Sequence, residues 1–141
     1  MPLVGGGGSP NVAGGSGPAS VGKTLNYVGD HVYAYSGSTS VAGASSANTT
    51  LLNFSTGSEY IMSELQGFST ERGSAQLYMV VKFNGQDIIK TEFDDAGSAS
   101  NLLDMPIKLI IPPFTTVQCL VGIESGTTKD WSLTLTGRIY A

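Results

Sequence analysis

Cysteine and histidine are almost missing from this chain: Cys119 and His31 are the single members of their types. One cysteine excludes an intramolecular disulfide and any multi-cysteine metal knuckle, and one imidazole excludes every site that needs two. Charge is scarce as well. With 7 Lys+Arg against 11 Asp+Glu the formal net charge is −4, and there is no basic run, so neither nucleic acid nor an anionic membrane is expected as a partner. No apolar run approaches the roughly twenty residues of a membrane-spanning helix, and the N-terminus lacks the charged-then-apolar order of a signal peptide. The expectation is therefore a chain with neither span nor leader.

What the chain does have is glycine, 19 of its 141 residues, concentrated at the front. Residues 1–24 hold Gly5–Gly8, Gly14, Gly15, Gly17 and Gly22 together with Pro2, Pro10 and Pro18, and few large apolar groups. Such a segment cannot bury enough surface to offset its ordering entropy. Residues 1–29 are accordingly expected to form an extended arm that reaches a different chain, and residues 30–141 a β domain.

From Asp30 the apolar period is two. The runs HVYAYS, TTLLNFST, EYIMSELQGFST, AQLYMVVKF, QDIIKTEF, IKLII, FTTVQCLVGIE and WSLTLTGRIYA read as strands. Asn84-Gly85 between two of them is the signature of a type I′ hairpin, because both residues tolerate positive φ. In the last run Trp131, Leu133, Leu135 and Ile139 share one face, with Thr134, Thr136, Arg138 and Tyr140 on the other. No window has helical spacing. About eight short strands predict an antiparallel β-sandwich of the jelly-roll kind, with an immunoglobulin-like sandwich and a barrel as alternatives. The expected core is Trp131, Leu133, Leu135, Val117, Cys119, Val121, Ile110, Val80 and Leu77. TTLLNFST and WSLTLTGRIY, which carry only Arg138 between them, read as lightly charged sheet edges.

Several residues invite a chemical reading. Gly17–Thr24, GPASVGKT, matches the phosphate-cradling loop G-x-x-x-x-G-K-[ST]. That loop works only between a buried strand and a helix N-terminus, and neither flanks it here, so the match reads as an accident of composition. Cys119 reads as a small core residue rather than a nucleophile, and His31 as a surface histidine at a strand start. Asp94, Asp95 and Asp104, with Ser98, Ser100 and Asn101, lack the alternating ligands of a calcium loop and read as solvated turn residues. Glu59, Glu64, Glu71 and Glu92 could supply a glycosidase pair only if two of them faced one cleft. The aromatics Tyr33, Tyr35, Tyr60, Phe68, Tyr78, Phe83, Phe93, Phe114, Trp131 and Tyr140 are expected mostly in the core, any exposed few forming a sugar-stacking platform. No catalytic, cofactor-binding or metal-ligating residue is assigned, and no enzyme is expected.

The segment PIKLIIPPFTTVQCLVGIES…WSLTLTGRIYA, with the hairpin YMVVKFNGQDIIKTEF, resembles small jelly-roll decoration (cement) proteins of tailed bacteriophages. The resemblance spans roughly residues 30–141 and lies in paired prolines after an aliphatic strand and a closing L-T-G-R-[IV]-Y strand. It implies a structural virion protein on the outer capsid surface, bound to the major capsid protein. Sparse edge charge and the threefold axes of shells add the expectation of a homotrimer. The alternative is a receptor- or glycan-binding module of a fibre or tail, marked by a shallow groove with exposed aromatics beside amides or carboxylates.

Overall fold

The computed structural model describes residues 24–43, 48–69, 76–94 and 106–140. Ten strands occupy them: β1 Asn26–Val28, β2 His31–Tyr35, β3 Thr39–Val41, β4 Thr49–Ser55, β5 Tyr60–Ser69, β6 Gln76–Phe83, β7 Gln86–Asp94, β8 Ile107–Ile111, β9 Thr116–Ser125 and β10 Lys129–Tyr140. No helix occurs among the described residues.

One sheet runs β1-β2-β10-β5-β8, with β3 also on β10; the other runs β4-β9-β6-β7, and all pairings are antiparallel. If the three-residue β1 and β3 are set aside, the remaining eight strands, renumbered in chain order, fall as 1-8-3-6 and 2-7-4-5. That interleaving is the jelly roll, two Greek keys folded onto each other. The two extra strands are the additions to the eight read from sequence.

Local chemistry explains the turns and the alternation. Asn84 and Gly85 both have positive φ, 51° and 84°, as the I′ turn between β6 and β7 requires. β10 alternates inward and outward as its sequence reads, with Trp131, Leu133 and Leu135 buried. β4 breaks alternation: Leu51 and Leu52 are both buried because the register against β9 shifts between Thr50 and Leu52, a bulge that turns two successive side chains inward. On the outer side of the second sheet Gly122 stands opposite Tyr78, and a Cβ there would lie 2.2 Å from the Tyr78 hydroxyl oxygen. The missing side chain lets the Tyr78 ring lie flat on the strand, where its hydroxyl donates to Asn48 Oδ1 and Lys90 Nζ sits 5.8 Å from the ring centroid.

The core fills the space between the sheets: Val32, Ala34, Ile61, Leu65, Leu109, Ile111, Trp131, Leu133 and Leu135 from one, Leu51, Leu52, Phe54, Leu77, Met79, Val81, Val117, Cys119, Val121 and Ile123 from the other. Two expectations are corrected. Ile110 is 63% exposed, since Leu109 and Ile111 take the inward positions of β8. Val80 is buried, but beside Tyr78's side of β6 rather than among the inward Leu77, Met79 and Val81. The reading of WSLTLTGRIY as an edge is also overturned: β10 is central, flanked by β2 and β5. Of the expected arm, residues 1–23 lie outside the described residues; Leu25 joins the core and Asn26–Val28 pairs with β2.

Candidate functional site

The chemical candidates scatter. Thr24 leads into core residue Leu25 and strand β1, where a phosphate loop would lead into a helix; the rest of GPASVGKT lies outside the described residues. Cys119 is buried on β9, and burial pushes its thiol up to about 12, so it carries no thiolate near neutral pH. Glu64 stands on β5 and Glu92 on β7, in different sheets, and Glu92 Oε1 lies 3.8 Å from Lys90 Nζ. Glu59 lies in the β4–β5 connection; Glu71, Asp95, Ser98, Ser100, Asn101 and Asp104 lie outside the described residues, and Asp94 ends β7.

The aromatics depart from the expectation. Trp131 belongs to the core cluster and Phe83 packs against that cluster, but Tyr33, Tyr35, Tyr60 and Tyr140 stand on the outer face of the β1-β2-β10-β5-β8 sheet. Register explains the grouping. Tyr33 and Tyr35 of β2 pair with Thr136 and Thr134 of β10, which pair in turn with Glu64 and Gln66 of β5. Large side chains on β2 and β5 thus flank small hydroxyls on β10, leaving a groove of about 440 Å³ lined by Tyr33, Tyr35, Met62, Glu64, Thr136 and Arg138 among others. The Tyr33 and Tyr35 rings form one wall, with centroids 5.0 Å apart and planes at 34°.

The groove ends at a charged cluster that sequence reading did not assemble. Asp30, in the β1–β2 turn, accepts a hydrogen bond from Arg138 Nη2 of β10, and His31 Nδ1 lies 2.8 Å from its other oxygen. The Arg138 guanidinium holds the Asp30 carboxyl below its usual range, and Asp30 in turn raises Arg138. A signal was present, since the hairpin glycine Gly29 fixes Asp30 beside His31; that Arg138 completes the cluster depends on a pairing 108 residues away.

A second exposed feature sits where β8 enters β9. Phe114 has φ 53° and is 75% exposed, a left-handed conformation that a bulky side chain adopts at a cost. The turn is fastened to the β4–β5 connection. Phe114 N–H donates to Gly57 O at 2.8 Å, Thr56 N–H to Thr115 O at 2.9 Å, Thr56 Oγ1 to Pro112 O at 2.9 Å, and Thr115 N–H to Thr56 Oγ1 at 2.9 Å. Close by in register, the pairs Tyr60–Tyr140 and Met62–Ile110 expose further apolar surface.

No protein-family model matches the sequence, and no curated protein matches it significantly. Among solved structures the chain is similar to one in the structure of infectious bursal disease virus Gx strain, with 14% identity and a TM-score of 0.45, over 75% of this chain and 32% of that one. It is also similar to one in the crystal structure of the infectious bursal disease virus VP2 subviral particle, with 17% identity and a TM-score of 0.42, over 77% and 32%. The chain spans about a third of the length of either.

Proposed function

We propose that this protein is a structural component of a phage virion, a decoration protein that sits on the outer capsid surface and clamps neighbouring major capsid subunits, without chemistry of its own. The reading rests on the resemblance of residues 30–141 to cement proteins and, above all, on the Phe114 turn. A strained aromatic persists only where its surroundings over-determine it. Here paired prolines and the Thr56–Thr115 hydrogen bonds hold a Phe outward at the tip of a rigid sandwich. An apolar anchor fixed before binding loses little freedom on docking, which suits a protein that adheres to a preformed shell. The proposed assembly is a homotrimer around a threefold site, which multiplies modest contacts into firm attachment.

Phe114→Gly separates anchoring from folding. Glycine relaxes the positive φ, so the melting temperature holds or rises, while affinity for shells stripped of the protein falls about tenfold or more, as for loss of a central apolar anchor. Undiminished co-sedimentation of the variant with stripped shells would remove the turn from the interface.

A further inference from the structure

Beyond the proposed role on the shell, we infer that the groove along β10 is a binding site for a neutral sugar, one pyranose ring of a surface glycan. Its floor is β10 at the hydroxyl-bearing Thr136 and the bare Gly137; its walls, two strand spacings or about 10 Å apart, are the Tyr33–Tyr35 pair and Glu64. An aromatic wall opposite a carboxylate, with a hydroxyl between, meets the two faces of a sugar ring. The C–H face packs on the tyrosines, and the ring hydroxyls donate to Glu64 and exchange hydrogen bonds with Thr136 and the outer N–H groups of Arg138.

Other occupants fit less well. The carboxylates of Glu64 and Asp30 repel an anion, and the positive charge of Arg138 is answered by Asp30. A peptide cannot add as a strand, since β10 has β2 on one side and β5 on the other along Thr134–Arg138. A second copy docking about a two-fold axis would lay trough on trough, because an isologous contact brings the same concave surface from both sides, while a heterologous contact of the proposed trimer at this groove would show as shifts on concentrating the protein.

The test is a titration of the isotope-labelled full chain with the methyl glycosides of glucose, galactose, mannose and N-acetylglucosamine, followed by amide chemical shifts. At least one glycoside is expected to move Tyr33, Tyr35, Glu64 and Thr136 together and saturably. Tyr35→Ala, which removes an exposed ring, and Thr136→Trp, which fills the floor, are each expected to weaken that binding by about tenfold or more. Tyr35→Ala decides the matter if the tryptophan variant fails to fold. Silence toward all four glycosides, equal binding by the folded variants, or shifts of the same residues on concentrating the protein without sugar would each overturn the assignment. Neither result touches shell binding, which the Phe114 variant reads separately.

Discussion

Truncating Leu135 to alanine lowers the unfolding free energy by about 2–5 kcal/mol, read as a drop in denaturant midpoint at unchanged slope. Leu135 is fully buried, at the middle of the central strand, between Ala34 of β2 and Leu65 of β5. All three side chains lie on the face turned to the second sheet, so the lost methyl groups leave a void that neighbours on two strands cannot both close. The cost combines lost transfer energy with the cavity left behind. A loss below about 1 kcal/mol would mean that β10 presents its other face to the core, since a slip of one residue exchanges the two faces.

Gly137→Ala is the second severe change, expected to cost about 3 kcal/mol or more, the upper end of overpacking penalties. A Cβ at this position would lie 2.5 Å from the carbonyl oxygen of Met62 and 2.9 Å from the Cα of Ser63. Those are backbone atoms of β5, so no rotamer change relieves them; β10 must draw away along the ladder that pairs Gly137 with Ser63. Gly57→Ala is the control. Its added Cβ would meet only the Glu59 carboxylate at 3.4 Å, and its melting curve should stay within about 0.5 kcal/mol of wild type. Equal melting of the two variants would contradict the close approach of β10 to β5.

The glycine of the closing L-T-G-R-I-Y motif thus has a physical reason, though the motif alone does not disclose it. What sequence discloses is local. The Asn84-Gly85 turn, the faces of β10 and the all-β class follow from residue types a few positions apart. Ile110 is exposed on the face it shares with Lys108, and a single lysine beside an isoleucine is a weak mark of an outer face in a run that is otherwise aliphatic. The Leu51–Leu52 bulge breaks period two, and strands of three residues, β1 and β3, are too short to show a period at all. The groove was the least legible part. Tyr33, Thr136 and Glu64 fall on one row only with β10 between β2 and β5, whereas the sparse charge of WSLTLTGRIY reads as that of an edge strand. A general expectation of exposed aromatics beside a carboxylate was available, but not which tyrosines or which glutamate.

The most direct measurement of the proposed role is a symmetry-averaged density map of the particle that carries this chain. The expected map shows sandwich-shaped density on the outside of the shell, repeated at threefold or quasi-threefold positions, with the Phe114 turn facing the major capsid subunits and the β10 groove open to solvent. Purified particles lacking such density, or density with the Phe114 turn directed away from the shell, would contradict it.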